Sequence, residues 1–404
     1  MKILMIHQHY FPEMSGTARR CKDLAESFVK RGHLVSVISS YPRNFRSFPE
    51  MTFKNYEKIN GVNIFRLNTV FQVSNNVHFR ILSYCSFIIK SLFYALKLSK
   101  SSDIIISISP LPSGIIGSLV QRINNRHHHF DIPDILPDLG ISAGMIKNKL
   151  VIKLLYKIER WVYNNSYSIS AITHGQINNI HSKGINIKKI SYIPDWIDEE
   201  FFKKNLKIYE NKVSKELIYP KKKIISFIGN IGALQNPITF IKTMKSFSIN
   251  NEDLFQFLFI GDGIMVPYLK EKTLEYNIHN VSFLGRVERK YIPAYMSSSH
   301  ILVANYLPNN YMDICIPGKL FEYAISNRPI VLGANGEAKQ LIENYNLGLV
   351  VPPSNDGAFR EAIMHIVSDK FVFNPKIEQF VNDFSLQKIS KFYEVIFDQV
   401  NLLK

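Results

Sequence analysis

The sequence predicts an α/β protein built as two doubly wound parallel-sheet domains facing a cleft, and three observations carry that prediction. The length, 404 residues, suits two or three domains at ~100–200 residues each. Short apolar runs alternate with segments whose apolar residues recur at helical spacing. The alternation also begins twice, once at the N-terminus and again near Ile224.

In the first half, Lys2 to Ile6 reads as a strand, Thr17 to Arg31 as a helix closed by Gly32, and Leu34 to Ile38 as the next strand. Ile104 to Ser109 is a buried strand by composition, followed by a Pro/Gly turn and a small-residue helix from Ser113. Ser168 to Thr173 and Ile190 to Pro194 read as further strands. The polar stretch from Asp198 to Pro220 is the expected linker. After Lys221-Lys222-Lys223 come strands at Ile224 to Ile228, Phe255 to Ile260, Val281 to Leu284, His300 to Val303 and Pro329 to Leu332, with helical segments between. Pro237 suits the first turn of one of those helices. In such sheets ligands bind outside the carboxyl ends of the strands, so the loops there are where chemistry is expected.

Composition narrows the class. Apolar residues make up 46% and charged residues 20%, which excludes wholesale disorder. Three scattered cysteines, Cys21, Cys85 and Cys315, form neither a disulfide framework nor a zinc pattern, and a reduced cytoplasmic setting is expected. The net charge is +16, and residues 1–200 hold 25 basic against 14 acidic side chains, most of the excess. From Lys58 to Ser102 there is no acid, against Lys58, Arg66, Arg80, Lys90, Lys97 and Lys100. Basic surface of this kind attracts phosphates. The apolar run Ile3 to Ile6 is too short for a signal-peptide core, and Ile81 to Leu98, interrupted by Lys90 and Lys97, falls short of a spanning helix.

Several loops carry candidate chemistry. His7 to Arg20 leads into a helix, with Gly16 allowing close backbone approach by an anionic or hydroxyl-rich ligand; a turn and helix cap account for it equally simply. Gly229-Asn230-Ile231-Gly232 lacks the third glycine of a dinucleotide fingerprint. His127-His128-His129 cannot all face one ion and has no partner at ligand spacing, so no metal is expected. Asp131-Ile132-Pro133-Asp134-Ile135-Leu136-Pro137-Asp138 reads as a rigid acidic turn after a strand. Its carboxylates suit sugar hydroxyls or proton acceptance, with helix capping by Asp138 as the plainer alternative. Pro317-Gly318 opens a helix whose free amides, with Lys319, suit a phosphate. Glu322, in its first turn, either accepts two hydrogen bonds from a ribose diol or merely complements the helix dipole.

Pro317 to Tyr323, Arg328-Pro329-Ile330 and Asn335-Gly336-Glu337-Ala338 together resemble the donor-site segment of family-four retaining glycosyltransferases. The likeness is narrower to the branch of fucosamine transferases and colanic-acid-type enzymes. Met1 to Arg20, Ile193 to Asp198, Phe227 to Gly232, Phe259 to Gly263 and Phe283 to Arg286 are similar to further family segments in the same order. The resemblance implies the glycosyltransferase B fold, with two Rossmann-like domains. Residues 1–198 would bind the acceptor and 199–380 the nucleotide sugar, with 381–404 a C-terminal helix packing back on the first domain. It implies transfer with retention, and no bound metal or other cofactor. Glu322 matches the second glutamate of the family's paired motif, a ribose clamp, while Ile314 stands where the first would be. The family's basic pair aligns near Asn230 and Gln235, which leaves Lys319 and Arg286 to hold the diphosphate. Gly16, Gly229, Asn230, Gly318, Gly336 and Glu337 complete the implied donor site. Asp134 falls where the family places a polar residue near the sugar, as base or orienter.

The expected function is therefore sugar transfer from a nucleotide-diphosphate donor, UDP favoured and GDP possible, to a lipid-linked saccharide in bacterial surface polysaccharide synthesis: O-antigen, capsule or exopolysaccharide. A sugar-nucleotide 2-epimerase of the same fold is the alternative. A nucleic-acid binder would need a dedicated basic motif with exposed aromatics, which is missing. Ile81, Leu82, Cys85, Ile88, Ile89, Leu92, Phe93 and Leu96 recur at helical spacing beside Lys90, Lys97 and Lys100. Such a helix either faces the core or lies on the inner face of the cytoplasmic membrane, as a peripheral enzyme would require.

Overall fold

The computed structural model describes residues 1–13, 15–42, 53–70, 77–217, 219, 222–249, 254–368 and 370–402. Met14 of the first loop, Pro220, Lys221 and the side chain of Arg80 lie outside the described residues. By its contacts the chain divides into two compact units, Met1–Asp195 with Leu386–Lys404, and Trp196–Ser385.

The first unit runs β1 (Lys2–Ile6), α1 (Gly16–Lys30), β2 (Leu34–Ser40), β3 (Tyr56–Ile59), β4 (Val62–Leu67), α2 (Val77–Ser99) and β5 (Ile104–Ile108). It continues through α3 (Leu111–Asn124), β6 (His127–Ile132), α4 (Asp138–Ser142), α5 (Lys149–Asn164), β7 (Ser168–Ala171), α6 (His174–Ser182) and β8 (Ile190–Tyr192). Among the described residues the sheet order is β3-β4-β2-β1-β5-β6-β7-β8, with only the β3–β4 pair antiparallel. Strands buried on both faces explain the unbroken apolar runs: all five residues of β5 are buried. Leu4, Ile6, Ile38, Phe87, Ile105, Ile116 and Val120 form one core under the helices.

The second unit holds α7 (Glu199–Glu216), β9 (Lys223–Ile228), α8 (Ile238–Ile249), β10 (Phe255–Ile260), α9 (Val266–Glu275), β11 (Val281–Gly285), α10 (Ile292–Ser298) and β12 (Ile301–Asn305). Then follow α11 (Asn310–Asp313), α12 (Lys319–Ile325), β13 (Ile330–Gly333), α13 (Gly336–Asn344), β14 (Gly348–Val351), α14 (Asp356–Val367) and α15 (Ile377–Phe384). Its parallel sheet is ordered β11-β10-β9-β12-β13-β14, so the strand order reverses between β9 and β12. A ligand crevice belongs at that switch point. Phenylalanines dominate the core, with Phe227, Phe240, Phe247, Phe255, Phe257, Phe259 and Phe359 in one cluster.

The stretch expected as a linker is instead a helix. Asp198 caps α7 by accepting from the Phe201 amide at 2.9 Å, and Glu199 and Glu200 complement the dipole in the first turn. Phe202, Asn205 and Val213 are buried along it. The polarity that reads as a linker is only its solvent face.

The final helix, α16 (Leu386–Asn401), belongs to the first unit. Phe28 of α1 meets Tyr393 and Phe397 with centroids 5.5 and 5.2 Å away. Arg20, buried beneath, donates to both oxygens of Asp131, at 2.6 and 3.0 Å, to Asp195 at 2.8 Å and to the Tyr393 hydroxyl at 3.3 Å. Asp131 is thus a buried residue within β6 rather than part of an acidic turn. Burial pushes its carboxyl up, but the guanidinium outweighs that and holds it below the usual range.

Helix α2 settles into the fold in an unexpected way. Its buried positions are the small ones, Ser83, Ser91, Ala95 and Ser99, with Phe87. Ile88, Leu92 and Leu96 pack partly against the core. Ile81, Leu82, Cys85, Ile89 and Phe93 point outward, Ile89 and Phe93 each 71% exposed. The expected single apolar face is therefore split between core and surface. The span Ile81–Ser99 has a mean hydropathy of 1.4, enough by composition for a membrane. Yet α2 connects β4 to β5, strands of one sheet, so it cannot carry the chain across a bilayer.

Candidate functional site

The second unit gathers most of the candidate residues at the carboxyl edge of its sheet, around the switch point. Strand β9 is followed by Gly229, whose φ of +134° is a conformation side chains avoid. A Cβ there would lie 3.0 Å from the Lys319 Nζ, so the missing side chain makes room for the lysine. Lys319 begins α12 after Gly318, and its Nζ sits 4.1 Å from the centroid of the Phe227 ring. That Nζ is shut from solvent and has no hydrogen-bond partner among the described residues. Burial lowers its pKa to about 7. A buried cation without an acceptor is costly unless something anionic completes it.

Glu322 lies one turn along α12, half-buried, with a carboxylate oxygen 3.8 Å from Arg289 Nη2. Arg289 in turn covers the Phe201 ring at 4.4 Å. These residues, with Ile197, Asp198, Ile292 and Ile325, line one hollow in the second unit. Neither Arg289 nor Phe201 is singled out by any motif in the sequence. Phe201 sits on the helix that reads as a linker, and Arg289 is three positions beyond the glycine-arginine pair at the end of β11.

The remaining donor candidates are scattered along the same edge. Arg286 follows β11 and is exposed, and Asn230 is exposed beyond Gly229. Gly336 opens α13 with φ +58°, and a Cβ on it would lie 1.8 Å from the Asp313 carbonyl oxygen. Glu337, half-buried, occupies the first turn of that helix.

Two candidates belong to the first unit. Gly16 opens α1, whose cap is Ser15 accepting from the Ala18 amide at 3.4 Å, and open space surrounds the glycine. Asp134 follows β6, half-buried; burial, then the nearby Asp195 charge, raises its pKa to about 6 despite Arg20. Asp138 is no cap but the first residue of α4, bonded by Tyr156 at 2.6 Å and by Lys183. His128 and His129 are fully buried inside β6, ringed by Ser107, Ser166, Ser168 and Ser170. Burial lowers their pKa values to about 3 and about 4, so both are neutral. No group of three metal-ligating residues occurs among the described residues.

Two parallel-sheet Rossmann-like units, with candidate ligand residues at the carboxyl edges of both, define the architecture of glycosyltransferases of the B fold. Solved structures of that kind match over nearly the whole chain. Sucrose-phosphate synthase from Thermosynechococcus elongatus covers 100% of both chains at a TM-score of 0.80 and 15% identity. Anabaena HepE in complex with UDP and glucose covers 99% of this chain and 100% of its own at a TM-score of 0.72 and 13% identity. In sequence, the putative colanic acid biosynthesis glycosyl transferase WcaI of Escherichia coli is 24% identical over 370 residues, 88% of this chain and 89% of its own. Residues 209–382 match the family model of glycosyl transferases group 1. The match spans most of the second unit, and over that region the chain is similar to glycosyl transferases group 1.

Proposed function

We propose that the protein transfers a sugar from a UDP-sugar, with retention and without a metal, to a lipid-linked saccharide in the synthesis of a bacterial surface polysaccharide. The observation that carries this reading is the sequestered Lys319 ammonium beside Gly229, one helical turn from Glu322. That pairing suits a nucleoside diphosphate: a cation for the bridging phosphates, a carboxylate for the ribose hydroxyls. Fixed positive charge at the departing diphosphate lowers the barrier without a metal ion. Arg286 adds charge from the end of β11, and Gly318, Gly336, Glu337 and Asn230 shape the same edge. The HepE complex contains UDP and glucose, and WcaI is named for colanic acid biosynthesis, which supports a UDP-sugar and a polysaccharide product. The first unit would take the acceptor, with Gly16 close to the ligand and Asp134, with a pKa of about 6, suited to receiving or orienting the hydroxyl proton.

The direct test incubates the purified protein with a panel of nucleotide sugars and measures nucleoside-diphosphate release with and without a lipid-linked acceptor. Acceptor-dependent release of UDP is the expected result, with the anomeric configuration of the product matching the donor. A strong chelator should leave the rate unchanged. Loss of activity restored by a divalent ion would overturn the metal-free reading.

A lipid-linked acceptor places the enzyme on the inner face of the cytoplasmic membrane. The outward stripe of α2, Ile81, Leu82, Cys85, Ile89 and Phe93, with Lys90 and Lys97 exposed beside it, supports that placement. Each lysine near an anionic surface adds about 1 kcal/mol at low salt. Sedimentation with anionic vesicles should bring the protein down at low salt and release most of it at high salt; recovery in the supernatant under both conditions would sink the reading.

A further inference from the structure

We propose that α5 and the turn before it form a second bilayer contact, independent of α2, so that the first unit grips an anionic membrane at two places. This rests on the membrane-surface reading above and extends it to residues outside α2. Met145, Leu150, Val151 and Leu154 are exposed by 59, 79, 45 and 57%. Leu150 and Leu154 are one turn apart, and Val151 lies beside them on the same side of the helix. Lys149, Lys153 and Lys157, also exposed, form the adjoining row, with Lys147 before the helix.

From Leu139 to Ile158 there is no acidic residue, and the acids on either side turn inward. Asp138 is held by Tyr156 and Lys183, and Glu159 by Tyr163 at 2.8 Å and Lys183 at 2.9 Å. The outer surface thus presents apolar side chains and unopposed cations. That combination complements anionic headgroups over hydrocarbon; for a neutral protein partner the lysines would have no counterpart.

Topology puts this patch beside the first. Helix α3 packs against both α2 and α5, so all three cover one face of the sheet. Both α2 and the α4–α5 segment begin at the carboxyl edge, because each leaves the end of one parallel strand to return to the start of another. Asp134 and the loop after β1 occupy that same edge. Two anchors there would hold the acceptor-binding edge against the headgroups and limit rotation on the membrane, which a single helix would permit.

The test measures binding of the full chain to vesicles of equimolar phosphatidylglycerol and phosphatidylcholine, and to phosphatidylcholine alone. Two double variants are compared, L150E/L154E on α5 and I89E/F93E on α2, each checked for an unchanged melting temperature. All four positions are exposed, so folding should survive. Each variant should lower the anionic-vesicle partition coefficient by ~10-fold or more, and combining them should abolish binding. Wild-type partitioning by L150E/L154E, alongside lost binding by I89E/F93E, would overturn the α5 contact and leave the membrane reading standing. Absence of binding by the wild type would remove both. A dimer broken by L150E/L154E with vesicle partitioning unchanged would assign the face to a second copy and likewise overturn the proposal.

Discussion

Replacing Glu322 with alanine is expected to weaken nucleotide binding and to cut turnover by ~100-fold or more, the loss of two charge-assisted hydrogen bonds to vicinal hydroxyls. The carboxylate stands one turn inside α12 and meets Arg289 at 3.8 Å, an ion pair partly open to solvent. Such pairs contribute little to stability, so the variant should melt near the wild type and any loss should belong to the ligand. Calorimetric titration with UDP and steady-state kinetics would show it. A folded Glu322→Ala protein with unchanged UDP affinity removes this residue from the donor site. Glu322→Gln should fall between the two, since an amide keeps one acceptor but surrenders the charge.

Lys319→Gln should trade function for stability, lowering UDP affinity by ~10- to 100-fold while raising the melting temperature of the unliganded protein. The sign follows from linkage. Burial moves the amine from 10.5 to about 7, so between those values the unfolded chain binds a proton that the folded one does not. Stability lost to this group is full below about pH 7 and recovered as pH climbs toward 10.5. The stabilising effect of Lys319→Gln should accordingly be largest near neutrality and fade at alkaline pH. Nucleotide affinity has the opposite dependence, because the diphosphate needs the charged amine: wild-type binding should weaken as pH rises above 7, and that trend should vanish in Lys319→Gln. Thermal melts and titrations across this range measure both. A variant that binds UDP like the wild type, with the same pH trend, would place the diphosphate elsewhere.

The sheet-forming segments are legible in the sequence because strands buried on both faces leave uninterrupted apolar runs, as at Ile104–Ile108 and Phe255–Ile260. The hairpin β3–β4 is less so. Its Asn60-Gly61 turn has both residues at positive φ, the local signal for such a connection, but the flanking strands are short and half-polar. Helix α7 escapes because only a few inward positions are apolar along a charged stretch. At the candidate site, Lys319 and Glu322 are visible through their place after Pro317-Gly318, while Arg289 and Phe201 come together only through tertiary packing of α7 against α10 and the turn that precedes it. Which side of α2 faces the core is likewise hidden. Ser83, Ser91, Ala95 and Ser99 share the buried side with Phe87 while Ile81, Ile89 and Phe93 face outward, and spacing alone does not rank the two faces.

Because α16 completes the first unit, the order in which the protein leaves the ribosome differs from the order in which its units can finish. Residues 1–195 emerge first, yet Phe28 and Arg20 then lack Tyr393 and Phe397, the rings that close over them. All of Trp196–Ser385 must be synthesised before those rings arrive. The second unit, continuous in sequence, can therefore mature while the first is still open along α1, a reversal of the usual N-terminal-first sequence. A nascent chain stalled before Leu386 should expose the α1 surface to chaperones or proteases even though every strand of both sheets has already been made.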